Sequence, residues 1–299
     1  MKTAVLTGAT GFLGLALLNE LTKNGVYVYV LCRPNSRRRS HLNGLSGITV
    51  LEYDFDNLDK IDSIQSCDVF YHLAWEGERN NFDEQYKNVN NTIKCLKFAS
   101  NIGCKRFICT GSQAEYGCTE TLITEDTSLK PVTAYGACKV AAFYLTSDLA
   151  SRLNIEHVWV RVFSVYGPND NPNTLIMMLM RELKFNGEAS LNTDGEHIWN
   201  YLHKEDAVKA LLMLGQCVST GTVYNLAGAE NKPLKYFIEE LRQIIKSDTI
   251  IYYGIQRCPV NLNVSISKLY NDIGWLPKVS FKEGLLIWGV SPEKKRNNI

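Results

Sequence analysis

The segment YGACK, residues 135–139, places a tyrosine and a lysine four positions apart, at the start of a run that we predict to be helical to about Leu153. This spacing puts Tyr135 and Lys139 on one face of the helix. Ser112 follows a short apolar segment, residues 106–110, that we predict to be a strand. A phenol, an ammonium and a hydroxyl can together serve a hydride transfer to a ketone, because the carbonyl oxygen gains negative charge and takes up a proton.

These three side chains have distinct expected roles. A phenol is a weak acid with a reference pKa of about 10, and a nearby cation favours its ionised form. We therefore predict that Tyr135 is the acid/base, that Lys139 tunes it, and that Ser112 hydrogen-bonds the same oxygen. A Tyr–Lys pair at this spacing is also common on helix surfaces, and a serine at a strand end can also serve as a cap. The surrounding sequence therefore decides between a catalytic and a structural role for these residues.

The context begins with the segment TGATGFLG, residues 7–14, which carries glycines at three-residue spacing. An apolar run suited to a buried strand, residues 4–6, precedes it, and residues 13–21 have the pattern of a helix. A strand, a glycine-rich turn and a helix in this order allow the backbone to approach the pyrophosphate of a dinucleotide at the helix N-terminus. The alternative is an ordinary strand-to-helix turn with incidental glycines.

The end of the second predicted strand, residues 26–31, indicates which dinucleotide is bound. NAD-binding folds place an Asp or Glu about 20 residues beyond the glycines, where it holds the ribose 2′-hydroxyl. Here no carboxylate lies between Glu20 and Glu52. Four arginines lie there instead: Arg33, Arg37, Arg38 and Arg39. Because arginine suits a 2′-phosphate, we predict NADP(H) over NAD(H), with a solvated basic loop as the alternative.

The elements that must position these residues alternate along the chain. Further strands are predicted at 48–51, 68–73, 106–110 and 158–163, and long helices at 82–99 and from 135 to about 153. This alternation predicts right-handed crossovers and an α/β fold with a Rossmann-type doubly wound parallel sheet. Beyond residue 168 the pattern is less regular. Helices are predicted there at 172–183, 203–214 and 234–245, and strands at 189–191, 223–226 and 249–253.

Composition narrows the class of protein. The chain has 299 residues, and 32 basic against 31 acidic side chains give a net charge of +1, which favours neither nucleic acid nor a membrane surface as a partner. No apolar run of about 18 residues occurs, so no membrane span is expected. The 9 cysteines include no CxxC pair, so neither a metal site nor a disulfide framework is expected. The first strand begins at once, so we expect no signal peptide and a cytoplasmic protein.

With these motifs the chain resembles the extended short-chain dehydrogenase/reductases, the NAD(P)-dependent epimerases, dehydratases and 4-ketoreductases of nucleotide sugars. TGATGFLG matches the family's glycine turn, and YGACK matches its YxxxK motif. Other matching segments are HLA at 72–74, NVNNT at 88–92, RVFSVYGP at 161–168 and YLH at 201–203 with Asp206. The resemblance implies a cofactor domain at 1–165, to which 200–218 return, and mainly a smaller, interleaved C-terminal substrate lobe at 166–299. It also implies a homodimer through the helices at 82–99 and 137–153.

The resemblance also implies the site residues. The catalytic residues would be Ser112, Tyr135 and Lys139, and Lys139 would also hold the nicotinamide ribose. The implied cofactor contacts are Gly8, Thr10, Gly11, Phe12, Leu13, Gly14, Arg33, Arg37, Asp54, Phe55, Leu73, Ala74, Trp75, Asn88, Tyr135, Lys139 and Phe163. The implied contacts to a nucleotide-diphosphate sugar are Ser164, Asn200 and Arg257, and no metal is implied.

Departures from the family pattern bear on the reaction. Sugar 4,6-dehydratases carry an Asp–Glu pair directly after the catalytic hydroxyl residue, and this chain has Gln113 and Ala114 there. Neither side chain can ionise, so elimination of water is not expected. Many members have Arg–Asp where this chain has Trp199 and Asn200, with the arginine on the substrate diphosphate. Arg257 would then carry more of the diphosphate contact.

We therefore expect an NADPH-dependent reductase of a nucleotide-diphospho-4-keto-6-deoxysugar, with the hydride going to C4. The segment from Ser267 to Pro277 loosely resembles CDP-abequose synthase and related 4-ketoreductases. One alternative is a nucleotide-sugar 4-epimerase that keeps and recycles its bound cofactor. The other is a non-catalytic NADP-sensing regulator, a class that typically lacks the Tyr–Lys pair.

Overall fold

The computed structural model describes residues 1–185, 187–217, 222–256 and 260–290. Numbered along the chain, the strands are β1 (Thr3–Thr7), β2 (Tyr27–Cys32), β3 (Ile48–Glu52), β4 (Val69–His72), β5 (Arg106–Ser112), β6 (Glu156–Val162), β7 (Val165–Tyr166), β8 (Glu188–Thr193), β9 (Ile198–Trp199), β10 (Leu202–His203), β11 (Val223–Leu226), β12 (Lys232–Pro233) and β13 (Ile250–Gln256). The helices are α1 (Phe12–Lys23), α2 (Phe82–Asn101), α3 (Ala134–Arg152), α4 (Leu175–Phe185), α5 (Lys204–Gln216), α6 (Leu234–Ile245), α7 (Ser267–Ile273) and α8 (Phe281–Ile287).

Seven parallel strands form the central sheet, in the order β11-β6-β5-β4-β1-β2-β3. The order reverses at β1, so the chain winds outward from the middle of the sheet in both directions. The predicted Rossmann-type, doubly wound parallel sheet is confirmed. Such sheets bind ligands beyond the carboxyl ends of their strands, at the point where the order reverses.

Apolar layers cover both faces of this sheet. One layer packs α1 and α5 against it, with Leu17 and Leu211 fully buried. The other packs α2 and α3 against the opposite face, with Leu96 and Ala142 fully buried. Because both faces are covered, the strands are continuous apolar runs rather than alternating ones, which is why residues 4–6 could be recognised as a buried strand.

A smaller group of elements follows β6. Helices α4, α6 and α8 pack around an aromatic centre that includes Tyr166, Phe237 and Phe281. Three two-stranded pairs accompany them: β7 with β10, β9 with β12, and β8 with β13. Strand β11 lies between elements of this group in the sequence, but it pairs with β6 in the central sheet. No helix in the described ranges is long and apolar enough to cross a membrane.

The predicted boundaries hold closely in the first half of the chain and less closely in the second. Helix α4 begins at Leu175 rather than at 172, because side chains of the preceding segment form a turn. In this turn the Asn173 N–H donates to Asn171 Oδ1 at 3.0 Å, and Thr174 Oγ1 donates to Asp170 Oδ2 at 3.0 Å. Helices α7 and α8 were not predicted, since each is only seven residues long.

Candidate active site

The glycine-rich turn joins β1 to α1 and packs against the end of β4. Gly8 has φ +76°, and a Cβ there would lie 2.7 Å from the Ala74 backbone nitrogen. A Cβ on Gly14 would lie 2.0 Å from the Gly8 carbonyl oxygen. The two glycines therefore permit close packing of strand, turn and helix, while Gly11 caps α1 and leaves the first N–H groups of the helix free to face an anion.

A cavity of about 210 Å³ lies above this turn, at the carboxyl ends of β1, β2 and β4. Nine predicted cofactor residues line it: Gly8, Thr10, Gly11, Arg33, Phe55, Leu73, Ala74, Trp75 and Asn88. Six further lining residues were not predicted: Ala9, Leu31, Cys32, Ser36, Tyr53 and Glu76. The bare glycine backbone, the helix N-terminus and the apolar side walls fit a dinucleotide cofactor.

Several predicted cofactor contacts do not line this cavity. Arg37 is exposed on the loop after β2, and Asp54 accepts the Asp56 N–H at 3.0 Å to hold its own turn. Phe163 is buried against Tyr116, with ring centres 6.2 Å apart. Phe12 lines a neighbouring cavity beside α1. Leu13 and Gly14 lie inside α1, where Gly14 packs on Gly8 and Leu13 packs on the core beneath the sheet.

The wall of the cofactor cavity contains one carboxylate that was not predicted, that of Glu76 in the segment after β4. Arg33 Nη1 donates to Glu76 Oε2 at 2.5 Å, and both side chains are about half exposed. Arg39 is likewise paired, with Glu52 at 2.6 Å. The sequence search for an acid covered only the segment after β2, whereas Glu76 follows β4, which lies two strands away across β1. Its position two residues after the HLA segment was the available signal.

Lys139 lies at the meeting point of β5, α3 and the loop after β4. Its Nζ donates to the Thr110 carbonyl oxygen at 2.6 Å and lies 3.6 Å from the centre of the Trp75 ring. The Tyr135 ring stands edge-on to Trp75, with centres 6.1 Å apart, and Lys139 Nζ is 5.8 Å from the Tyr135 ring centre. Tyr135 and Lys139 thus share one face of α3. The carbonyl oxygen that Lys139 contacts belongs to Thr110, which lies two residues before Ser112 on β5.

Ser112 ends β5 and caps the single turn Gln113–Glu115. Its Oγ accepts the Ala114 N–H at 3.2 Å, and its own N–H donates to Glu115 Oε1 at 2.7 Å. Glu115 is fully buried, and its Oε2 accepts from Arg161 Nε at 2.8 Å. Trp159 Nε1 donates to the same carboxylate at 3.0 Å. The serine therefore stands on a turn that a buried ion pair holds in place.

His72, the histidine of the HLA segment, is a structural residue. Its Nδ1 lies 2.8 Å from Thr7 Oγ1 and its Nε2 lies 3.2 Å from Thr92 Oγ1. Burial, and secondarily the charge of Lys139, lower the pKa of His72 to about 3. A neutral His72 adds no second positive charge beside Lys139.

A larger cavity of about 590 Å³ opens next to the Ser112 turn. Gln113, Ala114 and Ser164 line it, and Ser164 Oγ donates to Gln113 Oε1 at 3.4 Å. Much of its remaining wall is apolar or aromatic: Val132, Val165, Leu175, Ile176, Trp199, Tyr201 and Val260. Two charged residues also line it, Arg79 and Asp170, and neither was predicted. Burial raises the pKa of Asp170.

Asn200 does not contact this cavity, contrary to the sequence prediction. It is fully buried, and its amide Nδ2 donates to Gly228 O, Glu230 O and Asn231 Oδ1 at 3.0–3.2 Å. Its Oδ1 accepts the Gly228 N–H at 2.7 Å. Asn200 therefore holds the loop after β11 in place. Both the Nδ2 and the Oδ1 of its side chain hydrogen-bond to this loop. Arg257, the other predicted contact, lies outside the described residues.

Comparisons with known proteins agree with this geometry. The model of the NAD dependent epimerase/dehydratase family matches residues 4–227. The chain belongs to this family. The dTDP-4-dehydro-6-deoxyglucose reductase of Escherichia coli is 23% identical over 301 residues, which cover 94% of this chain and 94% of that protein.

Solved structures of epimerase/dehydratase proteins share the fold. The UDP-glucose 4-epimerase of Thermotoga maritima, solved with UDP-glucose, superposes with a TM-score of 0.83 at 23% identity and covers 96% of this chain and 97% of its own. The UDP-glucuronic acid 4-epimerase of Bacillus cereus, in complex with UDP-glucuronic acid and NAD, gives 0.84 at 24% identity, with 96% and 98% covered. In this chain Gln113, Ala114 and Trp199 line the larger cavity.

Proposed function

We propose that this epimerase/dehydratase-family protein is an NADPH-dependent reductase of a nucleotide-diphospho-4-keto-6-deoxysugar. One observation carries the proposal. Gln113 and Ala114, which cannot ionise, line the larger cavity directly after Ser112, at the two positions where the family's dehydratases carry an Asp–Glu pair. The apolar side chains opposite, among them Val132 and Ile176, suit the methyl group of a 6-deoxysugar.

The chain's own residues would then divide the work around the C4 carbonyl. When bound, the nicotinamide supplies the hydride. Tyr135 donates a proton to the carbonyl oxygen as the charge on that oxygen develops. Ser112 hydrogen-bonds the same oxygen, and its capped turn holds it ready for this contact. Lys139, as the resemblance implies, holds the nicotinamide ribose.

A 4-epimerase is the second candidate, and the Arg33–Glu76 ion pair favours it. Glu76 lines the cofactor cavity and neutralises the arginine that we assigned to the 2′-phosphate. A carboxylate near the ribose is the usual partner of NAD rather than NADP. An epimerase keeps its cofactor and recycles it between oxidised and reduced forms within one turnover.

One assay separates the two reactions. The purified protein is mixed with CDP-, dTDP-, GDP- and UDP-linked 4-keto-6-deoxyhexoses, and the consumption of added NADPH is followed by its absorbance. A reductase consumes one NADPH for each sugar reduced and carries little cofactor when purified. Stoichiometric bound cofactor, together with conversion of a 4-hydroxy sugar without added NADPH, would instead establish the epimerase.

The cofactor proposal, NADP(H) read by Arg33, gives a specific expectation. Arg33→Ala should weaken NADPH binding about 10- to 100-fold and NADH binding little, since a charge-assisted hydrogen bond contributes about 1.5–3 kcal/mol. Titration calorimetry with both cofactors measures the difference. Arg37→Ala is the control, because that side chain is exposed and does not line the cavity. Equal losses of NADPH and NADH in Arg33→Ala would rule out a 2′-phosphate contact.

We also propose a homodimer formed through α2 and α3. On α3, Phe143 and Leu149 pack partly against the core, whereas Tyr144 and Leu145 remain 60% and 51% exposed. On α2, Phe82 and Tyr86 stack on each other with ring centres 6.1 Å apart and are also more than 60% exposed. Neighbouring apolar side chains on two adjacent helices suit a two-fold contact with a second copy.

Light scattering at micromolar concentration should therefore give twice the mass of the chain. The double variant Tyr86→Lys, Tyr144→Lys should be monomeric, because like charges would meet across the two-fold axis. Tyr252→Lys is the control, since Tyr252 is 48% exposed on β13, away from these helices. A wild-type protein of single chain mass would contradict the proposal.

A further inference from the structure

Arg79 lies against the ring of Tyr135, the proposed proton donor. Its guanidinium carbon is 4.6 Å from the centre of the Tyr135 ring, and its carbonyl oxygen accepts the Tyr135 N–H at 2.9 Å. The same residue lines the 590 Å³ cavity that begins at the Ser112 turn. Arg79 therefore brings a positive charge to the boundary between the proton donor and the substrate cavity.

The loop that carries Arg79 is held by buried amide side chains of α2. Gln85, which is fully buried, donates through Nε2 to the Glu76 and Glu78 carbonyl oxygens at 3.3 and 3.0 Å. Asn88 Nδ2 donates to the Glu76 carbonyl oxygen at 2.8 Å. Gly77 has φ +93°, and a Cβ there would lie 2.7 Å from Glu84 Cβ. These contacts hold the backbone of the loop just before Arg79, whose own side chain is exposed.

The charged residues in the wall of the larger cavity indicate a role for Arg79. Among the described residues that line it, Arg79 is the one cation, and Asp170 is the one carboxyl group. Asp170 accepts from Thr174 within its own turn. Trp199 stands in the cavity wall, at the position where the family resemblance implies an arginine for the diphosphate. In the described part of the chain, no hydrogen bond or ion pair joins the Arg79 guanidinium to another side chain.

We propose that Arg79 binds the diphosphate of the nucleotide-sugar substrate, in place of the arginine that Trp199 replaces. The inference rests on the proposed function for the class of substrate. A guanidinium can donate two parallel hydrogen bonds to a phosphate and is more weakly hydrated than an ammonium. Resting on the Tyr135 ring, it would fix the distance between the diphosphate and the reacting end of the sugar, so binding and alignment would depend on the same side chain.

Titration calorimetry tests the inference without turnover. UDP, CDP, dTDP and GDP are titrated into the wild-type protein, and the nucleotide with the highest affinity is carried forward. Arg79→Met, which keeps the apolar stem, should weaken binding of that diphosphate about 10- to 100-fold and leave NADPH affinity unchanged. Arg79→Lys should recover part of the loss. Arg181→Met is the matched control, because Arg181 is an exposed arginine on α4 that lines a different cavity.

Each other result contradicts either the inference about Arg79 or the proposed function. Unchanged diphosphate affinity in Arg79→Met, with or without a lower turnover, would show that Arg79 does not bind the diphosphate and would leave the proposed function standing. A loss found only with a carboxylated sugar, tested as UDP-glucuronate against UDP-glucose, would assign Arg79 to the sugar instead. Wild-type protein that binds none of the four nucleotides at millimolar concentration would remove the proposed function and the inference together.

Discussion

Tyr135→Phe should lower the rate of hydride transfer by about 10²- to 10⁴-fold, the range typical of lost general acid–base catalysis. The substitution removes only the phenolic oxygen. The ring keeps its edge-on contact with Trp75 and its contact with the Arg79 guanidinium, and the backbone hydrogen bond to Arg79 is unaffected. Folding and NADPH affinity should therefore stay close to those of the wild type. NADPH oxidation with the preferred 4-keto sugar measures the effect.

Tyr144→Phe on the same helix is the matched control. Tyr144 is 60% exposed and lies outside both cavities, so its loss of a hydroxyl should leave the rate unchanged. If Tyr135→Phe turns over at the wild-type rate, the proton comes from another group and the proposed mechanism is wrong. Reduced turnover that accompanies an equal loss of NADPH affinity would instead indicate a binding defect.

Glu115→Gln should lower the free energy of unfolding by about 3–5 kcal/mol, because it leaves Arg161 buried without its counter-charge. Both side chains are almost completely buried, at 0% and 2% exposure. The same carboxylate accepts from the Ser112 N–H and from Trp159, so the turn that presents Ser112 should loosen as well. Urea unfolding followed by fluorescence measures the loss, and turnover should fall even where the protein remains folded.

Asp148→Asn provides the comparison on the surface. Asp148 pairs with Arg152 one turn along α3, both exposed, and such pairs contribute about 0–1 kcal/mol. Adding Arg161→Met to Glu115→Gln should restore more than half of the lost stability, since the uncompensated charge is then removed. A Glu115→Gln protein as stable as Asp148→Asn would show that the buried pair does not hold this region together.

Local signals were sufficient for the central sheet and for the placement of Tyr135 and Lys139. Three glycines between an apolar run and a helix predict the β1–α1 turn, and the four-residue spacing of Tyr135 and Lys139 places them on one face of α3. Helix α6 was predicted with the observed bounds, Leu234–Ile245, because its apolar residues recur at helical spacing and a proline precedes it. These features are encoded within about a dozen consecutive residues.

The missed features depend on residues far apart in the chain. Glu115 meets Arg161 across two neighbouring strands, 46 residues away, and nothing near Glu115 indicates that its partner exists. Glu76 reaches Arg33 across 43 residues, so a search for an acid in the segment after β2 could not find it. The family resemblance implied a substrate contact for Asn200, whereas its side chain hydrogen-bonds the loop after β11.

The late arrival of β11 has a consequence for synthesis of the protein in the cell. Strand β6 ends at Val162 and its neighbour β11 begins at Val223, so roughly 60 residues must be added before the pair can form. At ~5–20 residues per second, the ribosome needs several seconds for this segment. During that time the nascent chain carries an unpaired edge along β6, where Val158, Trp159 and Val160 are buried in the finished protein. Such an edge is a template for pairing with other chains, so the interval between residues 162 and 226 is when this protein most needs protection from aggregation.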